Sequence, residues 1–419
     1  MSIIQQPTLF DMQILEQLDI EEKYFEIFSP LDFSPLVGLF QKEKSVGAPI
    51  TINYEAALRA LVVSFQEGIP DVKTLVDRIR SDLRFKLSLG FLYSDRAPSE
   101  ATFSRILHTL HQHRQILIEV NEELLQRIDA EFCIFSEDVA IDATAIESHS
   151  KPEQIEKPVI SAVEKQREMS ITEIKEELPI DPQWGIKVNS KGKNVFWHGY
   201  KGHFAVSTES QYLLSAILTS AHIADVSVAI PLMRDIRQLG ISSVHVILDK
   251  GYDAKAVYEE AHSLGLEPIV PLKREAKNDG EWTNDYAPTC LIEAGYKYDS
   301  FDKRYGALKY IIPKARCCTC PLQHQEMCQK VIKIRQNSDP RKFNHPARGT
   351  TAWHKIYTKR SAVERVNGHL KENMELNNTT HFKPELVEVE LQLIQLGYNA
   401  KRFAAQRINN QNSRKEIVA

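Results

Sequence analysis

Val244-His245-Val246-Ile247-Leu248-Asp249-Lys250-Gly251-Tyr252-Asp253 is the stretch that decides the fold. A β-branched apolar run closed by an acid, with a glycine making the turn into a helix, is how open α/β sheets end a strand and present a functional group. A second run, Val139-Ala140-Ile141-Asp142-Ala143-Thr144, reads as a buried strand interrupted by one acid. A lone carboxylate there is costly unless something pairs with its charge. Taken singly, either aspartate also reads as a cap of the next element. Working outward, the periodicity predicts strands at 137–144, 201–208, 211–219, 244–249 and 267–272, with helices near 226–239 and 253–265. The expected class is therefore mixed α/β.

A third acid lies in Tyr357-Thr358-Lys359-Arg360-Ser361-Ala362-Val363-Glu364-Arg365-Val366-Asn367-Gly368-His369-Leu370-Lys371. On an ideal helix, at about 100° per residue, Tyr357, Arg360, Glu364 and Lys371 fall within roughly a 60° arc. One face then carries a carboxylate that can hold a divalent metal, beside cations and a phenol that can hold phosphate oxygens. The competing reading is a solvated amphipathic helix, since pairs such as Arg360 and Glu364 stabilise a helix by about 0.2–0.5 kcal/mol and are common. Asp142, Asp249 and Glu364 together are better explained by a shared metal site. No nucleophile elbow or triad pattern accompanies the Ser, His and Cys residues, so covalent catalysis is a poor alternative.

These three blocks resemble the DDE-type transposases of bacterial insertion sequences, in the group whose third block carries Tyr-x2-Arg-x3-Glu-x6-Lys. Tyr357, Arg360, Glu364 and Lys371 match that spacing without a gap. Ile141-Asp142-Ala143-Thr144 and Leu248 to Asp253 resemble the first two blocks, with Lys250 where several relatives carry another residue. Gly199-Tyr200-Lys201-Gly202-His203 and Ala221-His222-Ile223-Ala224-Asp225 extend the likeness over most of the chain. The resemblance implies a ribonuclease-H-like core of the retroviral-integrase superfamily, with Asp142, Asp249 and Glu364 holding two Mg²⁺ ions for which Mn²⁺ substitutes. It implies DNA cleavage and strand transfer on the terminal inverted repeats of an element and on target DNA, by a homodimer formed on DNA. A metal-dependent nuclease of the same fold, or a domesticated non-catalytic DNA-binding protein, would carry the same blocks.

The chain has 419 residues, 42% of them hydrophobic, enough for two or three domains with a substantial core. Its net charge of -4 is awkward for a DNA-binding protein. Local distribution offsets this in part. Between 341 and 371 Lys and Arg residues, among them Lys359, Arg360, Arg365 and Lys371, face Glu364 as the only acid, while acids gather at 153–177 and 385–390. Arg365, in this stripe, and Lys201, just before an expected strand, are further candidates for phosphate contact; for Lys201 and His203 a surface pair is the competing reading. No apolar run approaches the roughly 20 residues of a membrane span and no signal peptide is evident, so a cytoplasmic, nucleoid-associated protein with no membrane partner is expected.

Residues 1–130 read as a helical domain for terminal-repeat binding or dimerisation, with Thr102, Ser104 and Arg105 after Pro98 as groove-facing candidates. The first part of the core spans 133–275 and contains a charged insertion at 151–198 whose Glu- and Lys-rich half suggests an exposed helix or a flexible segment. A second insertion, 276–345, carries Cys317, Cys320, His324 and Cys328, a spacing close to that of a zinc knuckle. Zinc there competes with reduced, unliganded cysteines. Residues 346–408 complete the core and 409–419 form a basic tail. Asp225 reads as a helix N-cap or a support for the metal site, and Trp197 and Trp353 as packing residues or stacking platforms.

Overall fold

The computed structural model describes residues 15, 17–41, 52–152, 160–188, 191–273, 281–312, 317, 318, 320–322, 329–381 and 383–418. Its amino-terminal part is helical: α1 (Ile20–Phe28), α2 (Ser34–Gly38), α3 (Tyr54–Gln66), α4 (Val72–Ser81), α5 (Leu83–Ser88), α6 (Glu100–Gln112) and α7 (Arg114–Phe132). Short polar caps separate these helices. The side chains of Asn53, Asp71, Asp82 and Ser99 each accept a hydrogen bond from the backbone N–H three residues on, satisfying a donor the helix cannot. On α6, Ser104 and Arg105 are exposed but Thr102 is buried, so Thr102 does not face a groove.

A mixed sheet follows, built from β1 (Val139–Ser148), β2 (Gln183–Val188), β3 (Asn194–Ser207), β4 (Leu213–Ser220), β5 (His245–Ile247) and β6 (Glu267–Ile269). Helices α8 (Val163–Gln166) and α9 (Ile171–Glu177) precede β2. Helices α10 (Ala229–Gln238) and α11 (Lys255–Ser263) lead into β5 and β6. The central order is β4-β3-β1-β5-β6; β1 runs antiparallel to β3, β3 antiparallel to β4, and β1, β5 and β6 run parallel. Three antiparallel strands joined to two parallel ones, with crossover helices between the parallel pair, are the ribonuclease-H arrangement. In the charged insertion, beyond its Glu- and Lys-rich half, β2 pairs with the first half of β3 as a hairpin. Trp184, Ile186 and Val188 alternate at the strand period, and pairing realises it.

The second insertion folds as a separate antiparallel sheet, β7 (Lys297–Asp302), β8 (Ala307–Ile311) and β9 (Val331–Arg335), over a small core of Tyr296, Leu308, Tyr310 and Phe343. Arg341 ties it to the main body, with Nε and Nη2 each 2.7 Å from the fully buried carboxylate of Asp253. Cys320 N donates to Cys317 O at 3.2 Å and Leu322 N to Cys320 Sγ at 3.4 Å. His324 and Cys328 lie outside the described residues.

The chain returns through α12 (Thr351–Tyr357), α13 (Ser361–Asn373), the short β10 (Asn378–Thr379) beside β1, and α14 (Pro384–Val418). Helix α14 runs unbroken through the stretch read as a tail, and it joins both halves of the protein. Gln66 Nε2 of α3 donates to Gly397 O at 2.8 Å, while α14 turns its amides to the open edge of β4. Gln395 Nε2 and Asn399 Nδ2 donate to Leu213 O at 3.1 and 2.8 Å, Asn399 Oδ1 accepts from Leu213 N at 2.9 Å, and Gln392 Nε2 donates to Ala216 O at 3.2 Å. The unpaired backbone of an edge strand is thereby satisfied by side chains. One continuous apolar core embraces the amino-terminal helices, the mixed sheet and α14. Among the described residues no helix is long and apolar enough to cross a membrane.

Candidate active site

The parallel register of β1 and β5 pairs Val139 with Val246 and Ala140 with Ile247. Asp142 and Asp249 each follow the paired residues by two positions, and the charge of Asp249 acts on Asp142. Burial pushes the Asp142 carboxyl up to about 7; the nearby charges of Asp249 and Asp225 add to that effect, and the Ala143 N–H and Arg360 oppose it. Burial more than neighbouring charge therefore sets the state of the Asp142 carboxyl. Beyond β5, the Asp249 side chain accepts from Gly251 N, closing a 3₁₀ turn over Lys250–Tyr252. The cap offered as the competing reading is therefore present, and it fixes one carboxylate oxygen while leaving the other available. Gly251 permits this closeness, because a Cβ there would lie 2.6 Å from Asp249 Oδ1.

Glu364 reaches the same place by a route the ideal-helix projection does not describe. Residues Thr358–Arg360 form a 3₁₀ turn between α12 and α13, so Tyr357 and Glu364 do not lie on one uninterrupted α-helix. The turn docks on β1 through two adjacent cations. Lys359 Nζ lies 2.8 Å from Asp138 Oδ2, and Arg360 Nη1 lies 3.5 Å from Asp142 Oδ2 while its Nη2 donates to Glu364. Asp138 also accepts from His245 Nδ1 at 2.8 Å; burial would raise its carboxyl, but the hydrogen bonds from His245 and Lys359 outweigh burial and hold it at about 2. Val363, Val366 and Leu370 seat α13 on the core, leaving Glu364 half exposed on the outer side.

The remaining candidates divide. Tyr357 stacks on Trp353 at 5.1 Å; burial raises its hydroxyl and Arg360 counters, with Asp249 and Glu364 also nearby. Arg365 Nη1 donates to Ser361 Oγ at 2.8 Å. Lys371 lies farther along α13, where burial and Lys187 lower its ammonium and Glu147 of β1 opposes them. Lys201 and His203 are not a surface pair: Lys201 Nζ is held by Asp225 Oδ1 and Ile223 O, both at 2.7 Å, and His203 is fully buried against Thr219. Nor does Asp225 cap a helix; it opens a 3₁₀ turn and spends its carboxylate on Lys201. Trp197 and Trp353 are both buried.

Tyr252 is a neighbour that spacing did not reveal. Its fully buried hydroxyl is pushed up by burial and by Asp225, Asp142 and Asp249, and it has no hydrogen-bond partner among the described residues. Among the described residues no three His, Cys, Asp or Glu side chains stand together closely enough to grip one ion, and Arg360 supplies the positive charge between Asp142 and Glu364. The donor chemistry nevertheless fits Mg²⁺. All three acids offer hard oxygen, and burial holds the Asp142 carboxyl up at about 7.

A family model described as Transposase DDE domain matches residues 135–400, and one described as Transposase domain (DUF772) matches residues 13–109. No curated protein matches the chain. Among solved structures, the cryo-EM structure of piggyBac transposase synaptic complex with hairpin DNA is similar over 96% of this chain and 78% of that chain, at 10% identity and a TM-score of 0.40.

Proposed function

The chain belongs to the transposase DDE domain family, and on that premise we propose that it cuts the ends of an insertion sequence and joins them to target DNA, using Asp142, Asp249 and Glu364. The observation that carries this reading is the contact of one guanidinium, Arg360, with both Asp142 and Glu364, acids 222 positions apart in sequence. Those acids and Asp249 would hold Mg²⁺, with Mn²⁺ substituting. When bound, such ions activate water or a 3′-hydroxyl on one side of the phosphorus and stabilise the departing oxygen on the other.

The chain's own groups supply position and charge. Arg360 would turn from the acids to the non-bridging oxygens of the phosphate, and its fork suits that geometry better than an ammonium would. Tyr357 would hold the adjacent phosphate by its hydroxyl, and Arg365 and Lys371 would carry the backbone along α13. Lys201 acts from behind, fixing Asp225 beside Asp142. The ends are bound as terminal inverted repeats, by a homodimer that pairs them, in the nucleoid of the cytoplasm. Structural zinc on Cys317, Cys320, His324 and Cys328 belongs to the same reading.

The test incubates the coding segment with its natural flanking DNA, Mg²⁺, and wild-type protein or Glu364→Gln. Breaks at the segment boundaries and joined products from the wild type alone are the expected result. Equal cutting by both proteins removes Glu364 from the chemistry. Wild-type cutting without joining makes the protein a nuclease, and binding of the flanks without cutting makes it a DNA-binding protein.

A further inference from the structure

Helix α12 carries Tyr357 at its end and has only seven residues. A helix so short does not hold itself in water, so its place comes from what it packs against. Among its residues only Trp353 is buried, with Ile356 and Tyr357 partly so. Trp353 lies one turn before Tyr357, and the two rings stack at 5.1 Å with 15° between their planes. The indole N–H has no hydrogen-bond partner among the described residues, so packing and ring contacts alone fix that ring. Whatever grips Trp353 therefore sets Tyr357.

Part of that grip is a cation. The guanidinium of Arg348 lies over the Trp353 ring at 5.9 Å, within reach of the ring's negative face. It is itself held from three directions. Nη1 donates to Val270 O, just past β6, at 2.6 Å, while Nη2 donates to Arg341 O at 2.7 Å and to the Tyr258 hydroxyl of α11 at 2.9 Å. Tyr258 in turn donates to Asp253 Oδ1 at 3.1 Å. Asp253 follows Asp249 by four positions, and its N–H donates at 3.2 Å to Lys250 O, within the turn that Asp249 caps. Arg348 thus stands between two walls of the site, tied to the Asp249 turn on one side and laid on the Trp353–Tyr357 stack on the other. A planar fork can donate from its edge and offer its face to a ring, which an ammonium cannot. A strap that merely fastened the insertion would explain the bond to Arg341 O but not the ring beneath the guanidinium.

We propose that Arg348 is a positioning residue of the cutting reaction: by holding Trp353 it keeps the Tyr357 hydroxyl beside Arg360, the guanidinium that contacts Asp142 and Glu364. Burial raises the Tyr357 hydroxyl and the charge of Arg360 is the strongest effect against it, as adjacent groups require. A phenol that is to hold a phosphate must stand within hydrogen-bond reach of it, and a misplacement near 1 Å removes that bond. This inference rests on the DNA-cutting reading and adds that the chain returning from the insertion sets the place of the phenol.

The experiment has a spectroscopic and a kinetic arm, both on the full-length protein. With 3-fluorotyrosine incorporated, the Tyr357 resonance is the fluorine signal absent from Tyr357→Phe. Arg348→Lys is expected to shift that signal without any DNA present, and an unmoved signal overturns the inference. Cleavage of a duplex spanning the segment boundary, with Mg²⁺, is then compared for Tyr357→Phe, Arg348→Lys and the double variant. Each single change is expected to slow cleavage about 10-fold, as loss of one hydrogen bond to a charged group does. The double variant is expected to be no slower than Tyr357→Phe, since phenylalanine has no hydroxyl left to misplace. Additive losses, about 100-fold in the double variant, would show Arg348 acting elsewhere and overturn its part, as would wild-type rates in either single variant. Trp353→Phe, which leaves the hydrogen bonds of Arg348 in place, carries both arms if Arg348→Lys does not fold. All of these outcomes leave the cutting reading standing, whereas a wild type that does not cut overturns that reading and the part of Arg348 with it.

Discussion

Asp142 is a carboxylate buried among carboxylates, and Arg360 is its nearest positive charge. That imbalance was half legible. An acid inside an apolar run marks itself, because burial without a partner is costly, and Asp142 stood out for that reason; Asp249 stood out for closing a strand just before a glycine turn. Lys201 and Asp225 were candidates whose ion pair was not legible, and Tyr252 was missed, since their relation to Asp142 depends on three-dimensional closure and leaves no spacing in the chain. Gly251 shows how finely the site is set. Gly251→Ala would place a methyl 2.6 Å from Asp249 Oδ1, forcing the carboxylate or the turn to move. The expected outcome is about 100-fold slower strand cleavage with a melting temperature close to wild type, since a displacement near 1 Å suffices for such a loss. Undiminished cleavage would mean that the position of Asp249 is not critical.

At the level of elements, the 3₁₀ turn at Thr358–Arg360 and the β2–β3 hairpin were the features the sequence pattern hid. The turn has no signature of its own, because Thr358, Lys359 and Arg360 suit a helix as well; docking of Lys359 and Arg360 on β1 selects the tighter winding. The hairpin's alternation of Trp184, Ile186 and Val188 was present but lay beside a Glu- and Lys-rich stretch whose composition dominated the reading. Helix α14 carries a buried acid of its own. Glu390 accepts from Thr379 Oγ1 at 2.6 Å, yet burial outweighs that bond and raises its carboxyl to about 7 from an ordinary 4.5. Between those values the folded protein holds the proton more tightly than the unfolded chain, so this group's contribution to stability falls as pH rises from about 4.5 to 7. Glu390→Gln keeps an acceptor for Thr379 without the charge. Thermal melts should show it more stable than wild type at pH 8 and nearly equal at pH 5; an equal or lower melting temperature at pH 8 would contradict this assignment.

For the molecule as a whole, one core unites the amino-terminal helices, the sheet and α14, while the insertion keeps a small core of its own. The α/β class and the order of the three acid blocks were readable because strands and turns leave periodic marks. The long α14 was not, because its amides look like surface residues until an edge strand is found beneath them. The insertion's core is small, and zinc on Cys317, Cys320, His324 and Cys328, as proposed, would add binding energy to its folding. Native mass spectrometry of the reduced protein should find one zinc, lost in Cys320→Ser; a metal-free wild type would end that proposal. The edge of β4 has a consequence in time. Leu213 receives its partner Asn399 only after 186 further residues are made. At about 5–20 residues per second, a growing chain holds that edge uncovered for roughly 10–40 s on the ribosome. A chain stalled in this interval presents an open strand to its neighbours, so full-length synthesis itself protects this protein from pairing with its own copies.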